Sequence, residues 1–244
     1  MTKVVLFFVL LLVMLLMILS VFYALIPVLL MRLFGAKAAA ERWARTCGTA
    51  LARVFLRIAH VRLHNRTDNG IDPDGYPRVC FIANHTSILD IPAIIAGIPA
   101  WTAFIVKSEL KRVPVLHFWI ESLNCVYMKR GVLRESARAI ETGARNIRGG
   151  IHMTIFPEGT RSKTGKIARF KGGSFKLAQK SEAVIIPVVI KGIRPAFEAK
   201  RRPGRVDAQI KMLDPIPTEG MDRDELRLLP ERVENLIREA YEAL

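Results

Sequence analysis

From Val4 to Met31 the chain carries no charged residue, and only Ser20, Tyr23 and Pro27 interrupt its apolar character. Crossing a bilayer takes about 20 such residues, so the stretch is long enough to span with tilt. Lys3 and Ala36-Lys37-Ala38 give it the outline of a secretory signal. The run far exceeds the ~7–15 residues of a signal core, however, and residues 1–33 are expected to form an uncleaved membrane anchor. Pro27 is a place for a kink, which keeps a re-entrant or interfacial lie open. The period then becomes amphipathic. Between Ala38 and His60, the residues Trp43, Cys47, Leu51, Val54, Phe55 and Ile58 fall near one helical face, with arginines elsewhere. Residues 34–60 therefore read as a basic amphipathic helix with two possible uses: packing on a core, or lying on anionic lipid.

Beyond it, short apolar runs alternate with helical periods. Strands are expected at Val61–Leu63, Val79–Ala83, Ala103–Val106, Cys125–Met128, His152–Phe156, Val184–Ile190 and Val206–Met212. Helices are expected at Leu89–Ile98, Val115–Leu123, Leu133–Arg148, Ser174–Gln179 and Arg223–Leu244. In the last, Leu226, Leu229, Val233, Leu236, Ile237, Ala240 and Leu244 form one stripe, which is core packing. This order predicts an α/β fold, a mixed sheet flanked by helices. Roughly 210 residues follow the anchor, enough for one domain with its own core. Gly70–Pro77 and Ile216–Asp222 read as surface loops from their Gly, Pro and Asp content.

Charge narrows the partners. A formal net charge of +15 suits nucleic acid, lipid head groups or phosphorylated substrates. Nucleic acid is set aside, because no helix-turn-helix, stacking or zinc-finger signature accompanies the charge. After the apolar run come Arg32, Lys37, Arg42, Arg45, Arg53 and Arg57 against Glu41 alone, whereas Lys3 stands alone before it. The positive-inside rule then places the main domain on the cytoplasmic side of the inner (cytoplasmic) membrane. Cys47, Cys80 and Cys125 form no CxxC pair and read as buried reduced thiols. His60, His64, His117 and His152 lack ligand spacing, so neither a metal nor a cofactor is expected.

Two runs carry candidate chemistry. Asn84-His85-Thr86-Ser87-Ile88-Leu89-Asp90 follows the strand Val79–Ala83. Five positions do not stack on one helical face, so His85 and Asp90 meet best if His85 sits in a loop and Asp90 in the first turn of a helix. The carboxylate then accepts the Nδ1 proton and leaves Nε2 free as a base. A structural hydrogen bond is the plainer reading of such a pair taken alone. Ser87 lacks a G-x-S-x-G elbow and reads as a helix cap. The second run, Phe156-Pro157-Glu158-Gly159-Thr160-Arg161-Ser162, combines a glycine for close backbone approach, two hydroxyls and a planar guanidinium suited to phosphate.

In this order, the N-H-x4-D and F-P-E-G-x-R blocks resemble those of the glycerolipid acyltransferases, the PlsC-type 1-acylglycerol-3-phosphate acyltransferases. The likeness runs from about Val61 to Leu213 and marks residues 61–244 as the acyltransferase domain. Lys107-Ser108-Glu109-Leu110-Lys111-Arg112-Val113-Pro114 resembles the family's second block, which ends near Lys129-Arg130. His117, and about Asn124, stand where that block often has glycine. Ile185-Ile186-Pro187-Val188-Val189 resembles the fourth block, and Phe170-Lys171-Gly172-Gly173 a segment common after the third.

The resemblance implies transfer of a fatty acyl group from an acyl-CoA or acyl-carrier-protein thioester to the free hydroxyl of 1-acylglycerol-3-phosphate, giving phosphatidic acid at the bilayer. His85 would be the base and Asp90 its orienter. Arg161 would hold the acceptor phosphate with the N–H groups of Gly159 and Thr160, then Lys107 and Arg130. Glu158 would orient Arg161 or an acceptor hydroxyl, and Lys107 or nearby N–H groups would face the oxyanion. Lys163, Lys166, Arg169 and Lys171 form either a solvated basic loop or a dock for an anionic acyl carrier. Two other functions stay open: an acyltransferase for another lysolipid such as lyso-ornithine lipid, and a non-catalytic basic lipid-binding membrane protein.

Overall fold

The computed structural model describes residues 3–129, 131–198 and 204–244. Its centre is strand β2 (Val79–Ala83), in which every residue is buried. Val79, Phe81 and Ala83 face one side of the sheet, Cys80 and Ile82 the other. A strand covered on both faces needs such an unbroken apolar run. Around it lie β1 (Val61–Asn65), β3 (Ala103–Lys107), β4 (Val126–Met128), β5 (Met153–Ile155), β6 (Val184–Lys191) and β7 (Val206–Met212). The seven-stranded sheet has the order β1-β7-β6-β2-β5-β3-β4. From β6 to β4 neighbouring strands are parallel, β7 is antiparallel to β6, and β1 is parallel to β7, so the sheet is mixed.

Among the described residues, six helices cover it. On one face lie α3 (Lys37–Ile58), α4 (Asp90–Gly97) and α5 (Pro114–Ser122), which contribute Leu56, Ile94 and Ile120 to the core. On the other lie α6 (Leu133–Arg148), α7 (Gly172–Ser181) and α8 (Arg223–Ala243), through Ile147, Phe175 and Val233. Asp222 caps α8 in a reciprocal capping box with Glu225. Pro187 stands mid-strand in β6, where a missing N–H ordinarily breaks a ladder. Here the ladder to β7 starts at Val188 and an isolated bridge joins Ile185 to Ile216. Pro187 faces the interruption between them, and its carbonyl still accepts the Leu213 N–H at 2.9 Å. Asn124 adopts φ +58°, a left-handed conformation that glycine takes freely and asparagine tolerates.

The amino-terminal stretch is one long helical run, α1 (Lys3–Ser20) and α2 (Ile26–Leu33) joined by a π turn at Val21–Leu25. Within it, Met14–Leu33 has the length and apolar character to cross a membrane. A proline at 27 cannot donate to the Tyr23 carbonyl one α-helical turn earlier. Trp43 Nε1 donates to that carbonyl instead, at 3.0 Å. Trp119 Nε1 likewise donates to Ser20 Oγ at 2.9 Å. Gly35 (φ +77°) reverses the chain, and α3 returns with Ala40, Ala44, Cys47 and Leu51 packed against Ala24 and Val28. Of the two readings of the basic helix, its apolar face is thus used for packing within the protein. Trp43 lies at the margin of that face, 40% exposed.

Candidate active site

The parallel strands β2, β5, β3 and β4 end at one edge of the sheet, the edge where open α/β sheets bind ligands. His85 follows β2, Phe156 follows β5 and Lys107 ends β3. Asn84 sets the geometry of the first loop. Its buried amide donates to Ile190 O and accepts from Ile190 N, both at 2.9 Å, and so extends the β2–β6 pairing by one side chain. His85 lies in the loop and Asp90 opens α4. Asp90 is fully buried, and its Oδ2 accepts from His85 Nδ1 at 2.8 Å, Thr86 N at 2.7 Å and Ser87 N at 2.8 Å. Asp90 Oδ1 is buried and has no partner among the described residues. Burial pushes the Asp90 carboxyl up from its ordinary pKa, and the His85 ring and the two N–H groups oppose that shift. The start of α4 also favours negative charge here.

The Phe156 ring stacks on His85 with centroids 4.0 Å apart and planes 17° from parallel. The stack and the Nδ1 bond to Asp90 together orient the ring. Among the described residues nothing hydrogen-bonds to Nε2, the nitrogen a base would use. Phe156 earned no role from the sequence, since an aromatic at a strand end is usually core.

Glu158 differs from expectation. It is buried, and its carboxylate neither touches Arg161 nor points outward. Oε1 accepts the His85 N–H at 2.6 Å and Oε2 the Ala168 N–H at 2.9 Å. Burial raises its pKa, and those two N–H groups pull it back. Glu158 is a clamp between the His85 loop and the loop after β5. The Ser162 N–H, donated to His85 O at 2.9 Å, closes the same junction. Gly159 (φ +73°) turns the chain beneath Lys171, whose Nζ would lie 2.7 Å from any Cβ at that position.

Arg161 is 48% exposed, and its Nη1 lies 3.4 Å from Glu198 Oε1. Glu198, to which the sequence gave no role, also accepts from Ser87 Oγ at 2.7 Å and Ile88 N at 2.8 Å. Ser87 Oγ in turn accepts the Leu89 N–H at 3.1 Å. Thr160 is exposed beside Arg161. Lys107 is half-exposed and paired with Glu109 at 3.1 Å. Its strand is two places from β2, roughly 10 Å at the usual strand spacing. Arg130 lies outside the described residues. His117, in place of a glycine, bonds Tyr127 Oη through Nδ1 at 2.7 Å. Among the described residues, no three His, Cys, Asp or Glu side chains gather as a metal-binding set.

The site thus offers an oriented imidazole with one free nitrogen beside a cationic fork. Comparison with known proteins agrees with that chemistry. The family model described as Acyltransferase matches residues 60–191. The chain is 34% identical over 140 residues to a probable 1-acyl-sn-glycerol-3-phosphate acyltransferase of Mycoplasma pneumoniae, covering 54% of this chain and 52% of that protein. It is 30% identical over 169 residues to the human 1-acyl-sn-glycerol-3-phosphate acyltransferase alpha, covering 66% and 57%. It thus spans little more than half the length of these relatives. The crystal structure of the 1-acyl-sn-glycerophosphate (LPA) acyltransferase PlsC from Thermotoga maritima superposes with a TM-score of 0.73 at 26% identity, over 96% of this chain and 95% of that one. With the family model covering more than half its length, the chain belongs to the acyltransferase family.

Proposed function

We propose that this protein transfers a fatty acyl group from an acyl-CoA or acyl-carrier-protein thioester to the free hydroxyl of 1-acylglycerol-3-phosphate, giving phosphatidic acid. The observation that carries the reading is the His85–Asp90 pair, with Nδ1 engaged at 2.8 Å and Nε2 open. The acceptor hydroxyl attacks the thioester carbonyl while Nε2 takes its proton. The tetrahedral intermediate collapses by breaking the C–S bond, and the imidazolium returns the proton to the departing thiolate. Asp90 holds the tautomer and stabilises the imidazolium without taking the proton itself. Arg161, with the N–H groups of Gly159 and Thr160, grips the acceptor phosphate as a planar fork; Lys107 and Arg130 supply further positive charge. Glu158 acts by fixing the two loops to one another.

We assign residues 1–33 to membrane attachment, 34–60 to the basic helix and 61–244 to the acyltransferase domain, at the cytoplasmic face of the inner membrane. The apolar helix is packed along α3, which carries Lys37, Glu41, Arg42 and Arg45. A perpendicular crossing would draw those charges toward hydrocarbon, at about 2.5–3.5 kcal/mol for each one reaching the centre. An interfacial lie avoids this and immerses the outward face of Phe22, Ile26, Leu29, Leu30 and Leu33, all exposed.

The deciding assay crosses both thioester donors with a panel of lysolipids, lyso-ornithine lipid included. Preferential acylation of 1-acylglycerol-3-phosphate supports the reading. Preference for an acceptor without phosphate moves the assignment to another lysolipid, and liposome binding with no transfer to any acceptor moves it to a lipid-binding protein.

A further inference from the structure

Among the described residues, Glu198 is the one carboxylate that reaches across the candidate site from outside both sequence blocks. It follows the short turn Arg194–Ala196 after β6, and its backbone N–H is tied to Arg194 O at 3.0 Å. Its side chain receives three donors of different kinds: the Ser87 hydroxyl at 2.7 Å, the Ile88 N–H at 2.8 Å and the Arg161 guanidinium at 3.4 Å. A hydroxyl, a backbone N–H just ahead of a helix and a guanidinium are the groups that hold a phosphate. Here a carboxylate of the chain itself holds them.

We propose that Glu198 is an internal counter-anion at the acceptor-phosphate position, which must yield Arg161 to the incoming phosphate monoester and thereby sets acceptor affinity. The proposal rests on the reading of Arg161 as the phosphate fork. The three contacts are unequal. The two bonds to the His85–Asp90 loop are short, whereas the contact to Arg161 is the longest. An ion pair whose arginine is half exposed is worth little. A phosphate with nearly two negative charges and three acceptor oxygens outcompetes one carboxylate oxygen for a planar fork. A lysolipid without phosphate has no means to displace it. Glu198 therefore acts against the wrong acceptor by keeping the fork neutralised, and weakens the right one through charge repulsion.

The sign of the effect is the test, because a carboxylate that merely aimed Arg161 would have the opposite consequence. Glycerol 3-phosphate is titrated calorimetrically into the detergent-solubilised full chain, as wild type, as Glu198→Gln and as Glu198→Gln combined with Arg161→Ala. Glutamine keeps the shape and an acceptor for the Ile88 N–H but removes the charge. Removing one unit of charge beside a phosphate dianion in a wet site corresponds to a change of about 3- to 10-fold. Glu198→Gln is expected to bind more tightly by that factor, to lower the acceptor KM in parallel and to leave the donor KM unchanged. The gain should vanish when Arg161 is also removed. A damaged fold does not produce a gain in affinity. Unchanged or weaker binding in Glu198→Gln overturns the proposal, as does absence of measurable binding in both proteins. Failure to acylate 1-acylglycerol-3-phosphate sinks the functional reading instead, and tighter glycerol 3-phosphate binding by Glu198→Gln would survive that failure.

Discussion

Asp90 Oδ2 lies 2.8 Å from His85 Nδ1 and also closes the loop between them by accepting the N–H groups of Thr86 and Ser87. One oxygen orients the imidazole and winds the loop. The five-residue spacing follows from that double duty: it is the length of chain that wraps around a carboxylate at the first position of a helix.

His85→Ala should therefore lose turnover by roughly 10²–10⁴-fold, the range for a general base, with the fold intact. Asp90→Asn should lose turnover and also lower Tm, because with its oxygen kept on the Thr86 and Ser87 N–H groups its NH2 takes the buried, partnerless Oδ1 position, and turned the other way it leaves those two N–H groups unpaired. Steady-state rates and thermal melts on both variants separate the two roles. Near-wild-type turnover in His85→Ala would remove that residue from the mechanism.

A pH effect follows from Glu158. Burial raises its pKa in the folded protein relative to the unfolded chain, so the folded state binds the proton more tightly. The associated stability is fully present below about 4.3, the ordinary glutamate value, and is lost as pH rises through the folded value. The Tm of the wild type minus that of Glu158→Gln should consequently fall as pH increases from about 4. A difference that grows over this range would mean that the paired carboxylate, and not its burial, dominates at this position.

Much of this was legible from the chain. The seven expected strands and five helices of the main domain are present to within a few residues at their ends; central strands such as β2 and β6, buried on both faces, must read as apolar runs, while β7 alternates buried and more open positions. The strand order was not legible: nothing in Val206–Met212 tells that it runs antiparallel to β6 and carries β1 beyond it. The site divided in the same way. His85 and Asp90 are five residues apart and local spacing connects them. Glu158 meets His85 across 73 positions and Glu198 meets Ser87 across 111, and such contacts arise from the fold alone. An acidic residue beside Arg161 in sequence looked like its partner, but Glu158 turns inward, and Arg161 finds Glu198 instead.

The outward face of the amino-terminal helix gives a membrane test that spares the packing. Leu29, Leu30 and Leu33 are 54%, 50% and 77% exposed, whereas Ala24 and Val28 are buried against α3. Replacing the three leucines by serine should leave Tm unchanged and weaken retention on liposomes, since each side chain that enters lipid contributes about 1.5–3 kcal/mol when fully buried. Retention that survives the triple replacement in flotation assays would show that this face does not lie in lipid. Deleting residues 1–33 is a harsher change, because it uncovers Ala40, Ala44 and Leu51, and it should yield aggregates by size-exclusion chromatography.

Arg161→Ala should raise the acceptor KM far more than the donor KM. Arg161→Lys should restore it only in part, because a point charge does not reproduce a bidentate fork. Initial rates with each substrate varied in turn decide the matter. A rise confined to the donor KM would place the phosphate site elsewhere.

The route of transfer should be direct, with no acyl-enzyme. A nucleophile needs a base beside it or a depressed pKa. Burial pushes the thiols of Cys80 and Cys125 up to about 12, which leaves almost no thiolate at neutral pH. Cys47 is shifted in the same direction by burial. Ser87 stands two residues from His85, but its hydroxyl donates to Glu198 at 2.7 Å and accepts the Leu89 N–H, so both of its hydrogen-bonding directions are used in holding the loop. His85 Nε2 is then left for the acceptor hydroxyl. Ser87→Ala should accordingly retain most of its turnover, and thiol alkylation should act only through steric damage. The decisive measurement mixes enzyme with labelled acyl thioester in the absence of acceptor, quenches, and weighs the intact protein. Unmodified mass is the expected result. A stoichiometric gain of one acyl group, chased off by added lysophospholipid, would return Ser87 or a cysteine to the role of nucleophile.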